Sequence, residues 1–246
     1  MERTNQPIIV KFGKRPKFVL VCCLHGEEKF GRKVFDYFEK NNQMFGNFLL
    51  ILAHPAALSL GQRFIDSDLN RSFPGLKTGN TEEKIAYKLT RNIPKSAYLI
   101  DIHTTVTDIK FLPIVTSISK KTKNLINLCS ARNIGLVKSP LKDISLIGQF
   151  DRSISLEINR VFAKKRVALE LIIDFVNDLI EGKIKPKMCR SIYEVDQVIR
   201  KEIKLPKKVE NFKKIRGLGL YSILYHTKSY SEIHCLAASK KRRLKI

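Results

Sequence analysis

Phe18-Val19-Leu20-Val21-Cys22-Cys23-Leu24 runs directly into His25-Gly26-Glu27-Glu28, and the reading of this junction decides the fold. A continuous apolar run of this length, rich in β-branched residues, predicts a strand buried on both faces, as in a parallel sheet. The polar residues that follow then emerge at the carboxyl edge of the strand, where open α/β folds place their sites. From Glu28 to Phe38 the residues Phe30, Val34, Phe35 and Phe38 recur at helical spacing, so the chain returns as a helix.

The alternation continues. Phe48-Leu49-Leu50-Ile51-Leu52-Ala53 is the next buried strand, and Tyr98-Leu99-Ile100-Asp101-Ile102-His103 is another. A helix from about Thr81 to Arg91 precedes the latter, with Thr81-Glu82-Glu83-Lys84 as its start. Apolar runs follow at Phe111–Val115 and Ser153–Ile158, and Ala168 to Ile180 reads as an amphipathic helix. Strands alternating with helices predict an α/β sandwich with a mixed, largely parallel sheet. The pattern changes near Gly182-Lys183-Ile184-Lys185-Pro186, beyond which Pro206, Gly217 and Gly219 punctuate short alternating segments. Residues 1–185 are expected to form the main domain and residues 186–246 a small β-rich C-terminal appendage.

With 246 residues, 43% hydrophobic and 28% charged, the chain is of ordinary globular composition and can bury a real core. The net charge of +23 fits a nucleic acid, an anionic membrane surface, anionic substrates, or simply a solvated basic surface. The basic residues are scattered, which argues against a nucleic-acid partner. Their one dense cluster is Lys240-Lys241-Arg242-Arg243, where a flexible tail is expected. No apolar run approaches a membrane span, and the first residues lack the apolar core of a signal peptide. The five cysteines lack CxxC spacing; Cys22 and Cys23 read as buried free thiols, and a reducing cytosol is the natural compartment. A homo-oligomer is left open.

The chemistry-bearing residues cluster at strand ends. His25 and His103 each follow a buried strand, and Glu28 shares a face with His25 if residues 25–28 enter a helical turn. Two imidazoles, a carboxylate and an open position make the donor set of a catalytic zinc. Against this, HxxE recurs by chance, and a strand-end histidine is often a satisfied polar residue. Asp101 either accepts an N–H from a ligand histidine or caps its strand end. Arg71 offers a planar fork for a carboxylate and Asn70 a further donor, but Asp66 and Asp68 could instead pair with Arg63 and Arg71 in a surface loop. Glu157 interrupts an apolar strand, which suits either a general base or a strand-edge carboxylate facing solvent.

In order along the chain, His25-x-x-Glu28, Asp68-Leu69-Asn70-Arg71 followed by Phe73-Pro74-Gly75, and Asp101-x-His103 resemble the signature of the succinylglutamate desuccinylase and aspartoacylase family. That family belongs to the zinc carboxypeptidase-like superfamily, and the resemblance runs from about residue 18 to residue 160, more faintly beyond. It implies a zinc-dependent hydrolase that cleaves the amide bond of a small N-acylated amino acid, of acetyl or succinyl type, or a related carboxylate-bearing amide. By the same resemblance His25, Glu28 and His103 would hold one Zn2+ per chain, and Glu157 would be the base. Arg63 would polarise the scissile carbonyl and steady the oxyanion. Asn70 and Arg71 would hold the carboxylate of a small anionic substrate, and Tyr230 would correspond to a family tyrosine near it. The chain departs from the pattern at Glu27, where the family has Asn, at His54-Pro55, where it has Asn-Pro, and at Asn159-Arg160, where a Gly usually follows the glutamate strand. Two other functions share this reading: a zinc carboxypeptidase acting on peptides, and a non-catalytic binding protein on the same scaffold.

Overall fold

The computed structural model describes residues 6–41, 46–225 and 233–245. The chain opens with β1 (Ile8–Phe12) and β2 (Phe18–Cys22), then α1 (Lys29–Lys40) and β3 (Phe48–Leu52). A short α2 (Pro55–Leu60) and α3 (Thr81–Asn92) lead to β4 (Tyr98–Thr105) and β5 (Phe111–Val115). Next come α4 (Lys120–Leu128), β6 (Asn133–Val137), β7 (Ser153–Asn159), α5 (Arg160–Ala163) and α6 (Arg166–Ile180). The described chain closes with β8 (Cys189–Arg200), β9 (Tyr221–Ile223) and β10 (Ile233–Lys245).

These strands form one sheet in the order β1-β3-β2-β4-β7-β5-β6-β8-β10-β9. Around its centre β2 runs parallel to β3 and β4, and β4 parallel to β7. Antiparallel pairing enters at β1 with β3 and at β5 with β7, so the sheet is mixed and mostly parallel, as expected.

The two-residue period of the strands sorts their side chains into two cores. From β2, Leu20 and Cys22 face a cluster that includes Phe30, Val34, Phe35 and Phe38 of α1 and Ile172 and Phe175 of α6. Val19 and Val21 face the opposite cluster with Ile85, Ala86 and Leu89 of α3. Each fully buried Phe or Leu stabilises this packing by about 1.5–3 kcal/mol relative to exposure. That double coverage explains why β2 and β3 read as unbroken apolar runs.

Helix α3 spans nearly the expected residues, but its N-cap is Asn80, whose side chain accepts from Glu83 N while Glu83 bonds back. Helix α1 has Glu28 at its cap position with no capping bond, because that carboxyl is used elsewhere.

Beyond residue 185 the chain is β-rich, and β8 pairs in parallel with β6, so these strands extend the same sheet. The Lys240–Arg243 cluster is not a flexible tail. It lies within β10, where Lys241 pairs with Tyr193 and Arg243 with Ser191 of β8. Its side chains are also used: Lys241 Nζ stands 5.2 Å from the Tyr193 ring centroid, and Arg242 Nε lies 3.3 Å from Glu194 Oε1. The ladder hydrogen bonds and these contacts outweigh the repulsion that a run of like charges creates. No helix among the described residues is long and apolar enough to cross a membrane.

Candidate metal centre and active site

Strand register brings the site together. Val21 of β2 lies opposite Asp101 of β4, so His25 just past β2 and His103 reach the same edge. In turn His103 lies opposite Glu157 of β7, and both side chains project from one face. The turn carrying His25 packs tightly: a Cβ on Gly26 would sit 2.1 Å from the Ala57 carbonyl carbon, so only glycine fits. Gly26 N also donates to Arg63 O at 3.2 Å, tying this turn to the arginine segment.

The two imidazoles are oriented alike. His25 Nδ1 lies 2.8 Å from Glu28 Oε1, and His103 Nδ1 lies 3.3 Å from Glu28 Oε2. Their Nε2 atoms point away, His25 to Asp68 Oδ1 at 3.0 Å and His103 to Asp101 Oδ2 at 2.8 Å. One donor atom from each of His25, Glu28 and His103 lies within 4.8 Å of the others, and all three residues are buried. A histidine whose second nitrogen donates to a carboxylate has its tautomer and ring plane fixed for ligation. Asp101 thus stands behind His103 rather than merely ending a strand.

The field of the centre favours positive charge. Burial pushes the Glu28 carboxyl up, but His103 and His25 overcome this and hold it well below the usual range. Burial likewise works against a charged His103, yet Asp101 and Glu28 raise it well above an ordinary histidine. Asp101 is fully buried and its Oδ1 has no hydrogen-bond partner among the described residues. Such a cluster of carboxylates calls for a cation, either protons on the imidazoles or a metal ion in their place. At Glu157, burial is the largest influence and raises its pKa, with His103 partly offsetting it. The Glu157 carboxyl accepts no hydrogen bond from the described residues and opens onto a cavity that His25, Glu28 and His103 also line.

Arg63 and Asp68 form the next layer. Asp68 Oδ2 accepts from Arg63 Nε at 3.2 Å and Nη2 at 2.9 Å, while Oδ1 faces His25 and accepts from Asn70 N at 2.9 Å. Burial pushes the Asp68 carboxyl up, but the His25 hydrogen bond, His25 charge and Arg63 hold it well below the usual range. Asp68 pairs with Arg63, as the surface-loop reading had it, but the same carboxylate also faces His25. Asn70 Oδ1 accepts from Leu146 N at 3.0 Å, leaving its NH2 to donate. Arg71 is exposed, with Nη1 donating to Asn70 O at 2.7 Å.

Several partners escape sequence reasoning. Glu82, read only as part of a helix start, is fully buried and accepts from Ile65 N at 2.6 Å, Asp66 N at 3.1 Å and Ser67 N at 3.1 Å. It fixes the turn between Arg63 and Asp68. His54 is its neighbour, Nε2 to Glu82 Oε1 at 2.9 Å, and lies outside the metal group. Burial lowers the His54 pKa, and the Glu82 hydrogen bond works against that. Two of the departures from the family pattern meet: Glu27 Oε1 lies 3.0 Å from Arg160 Nη2 and 3.4 Å from Arg63 Nη1.

His25, Glu28, His103, Arg63, Asn70, Arg71 and Glu157 all line one cavity of about 790 Å³. Tyr230 lies outside the described residues.

The profile of the succinylglutamate desuccinylase/aspartoacylase catalytic domain matches residues 14–143, more than half of the chain. The chain belongs to this family. His25, Glu28, Arg63, Asn70, Arg71 and His103 all fall inside the matched segment; Glu157 lies beyond it and is placed by its register against His103. Among solved structures, murine aminoacylase 3 is 18% identical, with a TM-score of 0.70, covering 94% of this chain and 97% of that one. Succinylglutamate desuccinylase from Vibrio cholerae is 19% identical, with a TM-score of 0.67, covering 94% of this chain and 82% of that one. The product-bound ectoine utilization protein EutE (DoeB) from Ruegeria pomeroyi is 17% identical, with a TM-score of 0.56, covering 97% and 83%. At these identities the structures establish that the desuccinylase/aspartoacylase fold extends over nearly the whole chain. A sequence comparison with curated proteins finds no match.

Proposed function

We propose that this member of the desuccinylase/aspartoacylase family hydrolyses the amide bond of small N-acylated amino acids, of acetyl or succinyl type, using one zinc ion held by His25, Glu28 and His103. The observation that carries this is the convergence of two imidazole Nδ1 atoms on one carboxylate, beside Glu157 and Arg63 in a single cavity. The donor set fits the ion. A tetrahedral zinc with bonds near 2.0 Å spaces its ligand atoms roughly 3.3 Å apart. From one oxygen, Glu28 Oε1, the His25 and His103 Nδ1 atoms stand 2.8 and 3.4 Å away, close to that. When bound, zinc supplies a Lewis acid that activates water and polarises the scissile carbonyl.

The chain's own groups do the rest. Glu157 takes the proton of the attacking water and returns it to the departing amine nitrogen. Its raised pKa suits a carboxylate that must both accept and release a proton. Arg63, held by Asp68, faces the oxygen on which negative charge develops. Arg71 and Asn70 hold the carboxylate of the substrate. Residues 1–185 supply this machinery as the catalytic domain. Residues 186–246 supply part of the cavity's wall through Leu224 and Leu236. The free cysteines fit a cytosolic setting.

Steady-state kinetics of two variants test the division of labour. Arg71→Lys keeps the charge but loses the fork, so it should mainly raise KM. Arg63→Ala should mainly lower kcat, because the oxyanion forms only during reaction. If Arg71→Lys leaves KM unchanged, and an amide lacking the carboxylate is cleaved equally well, the protein is a general amidase instead.

A further inference from the structure

The floor of the cavity changes character at one strand boundary. On β4 and β7 it presents His103, Ser155 and Glu157. On the next strands Ile114 of β5 lies opposite Ser155, Gly135 of β6 opposite Ile114, and Val137 follows on the same face. Leu141 and Ile147 from the β6–β7 connection, with Leu224 and Leu236, extend this half, and Ser145 and the half-buried His234 are the polar residues beside them. Ile114, Val137 and Ile147 are buried, and Leu141, Leu224 and Leu236 half-buried. The charged residues lining the same cavity from the end of β8, Arg200, Lys201 and Glu202, are all exposed to solvent. Arg63 is on the metal side, bound to the Asp68 that faces His25.

The apolar half begins beside the carboxylate anchor. Leu146 N donates to Asn70 Oδ1 at 3.0 Å, and Ile147 is the next residue. In an N-acyl amino acid the group nearest the carboxylate is the side chain on Cα. With the carboxylate on Asn70 and Arg71 and the amide at the metal centre, that side chain meets the aliphatic wall. A second carboxylate there would lose its hydration, with no buried cation among the described residues of this wall to replace it. An aliphatic or aromatic group would instead remove apolar area from water.

Resting on the deacylase reading above, we propose that the preferred substrates are N-acyl amino acids with an apolar side chain, leucine- or phenylalanine-like, and that N-acyl aspartate and glutamate are disfavoured. The Ile114, Val137, Leu141, Ile147, Leu224 and Leu236 wall is the specificity determinant.

The test uses the full-length zinc-loaded protein with N-acetyl-L-leucine, N-acetyl-L-phenylalanine, N-acetyl-L-aspartate and N-succinyl-L-glutamate, reading free amine. The apolar pair should exceed the acidic pair in kcat/KM by about tenfold or more. Leu141→Arg, a half-buried loop position whose folding is checked by thermal melting, should narrow or invert that ratio. In parallel, calorimetry on zinc-loaded Glu157→Gln compares binding of N-acetyl-L-leucine and N-acetyl-L-aspartate without turnover. A binding preference for the leucine compound with no turnover in the unmodified protein upholds the wall and removes the deacylase reading. Equal or reversed preference in turnover or binding, no binding of either compound, or a ratio untouched by Leu141→Arg, overturns the inference itself.

Discussion

Glu157→Gln is expected to keep its zinc and lose turnover on the order of a hundredfold or more. The change is nearly isosteric, so packing against Leu112 across the β5–β7 pair is preserved. What disappears is the ability to take a proton. The position makes this decisive: Glu157 stands opposite His103 in register, opens onto the cavity and has no hydrogen bond to a described residue that would commit it to a structural task. Elemental analysis, thermal melting and a free-amine assay on the best substrate separate the possibilities. Near-normal turnover with zinc intact would move the base to another residue.

Replacing His25 or His103 with Ala should abolish zinc binding and activity together. Each removes one of three protein ligands, and the remaining pair cannot hold a catalytic zinc in competition with water. Each also strips Glu28 of an imidazole partner that counters its burial. Some loss of melting temperature is therefore expected, and circular dichroism must confirm that the fold survives. Full zinc occupancy in the double replacement contradicts the ligand assignment.

The parts of this account that the sequence discloses are those governed by local pattern. Phe18–Cys22, Phe48–Leu52 and Phe111–Val115 are strands buried on both faces, and burial on both faces leaves a continuous apolar run. His25 and His103 are legible because they interrupt such runs at the carboxyl edge. The Asp68–Arg71 block is legible through family resemblance, since no periodicity singles it out. What stays hidden is tertiary. Glu82 sits in a polar helix start that suits a solvated turn, and only the packing of three backbone N–H groups around it makes it a buried anchor. Asp68 could be placed beside Arg63, but its bond to His25 spans 43 residues of sequence. The Glu27–Arg160 contact joins two departures that have no relation along the chain. The Lys240–Arg243 run suggests a free tail because charge clusters usually avoid strands, and its pairing partners in β8 lie some fifty residues earlier.

The most direct measurement is a zinc titration of chelator-stripped protein, following free amine from an N-acyl amino acid panel alongside metal content. Turnover should be absent in the stripped protein and rise in proportion to bound zinc, levelling at about one ion per chain. Hydrolysis that proceeds equally in the stripped protein, or zinc that binds without any member of the panel being cleaved, would contradict the assignment of a zinc-dependent deacylase.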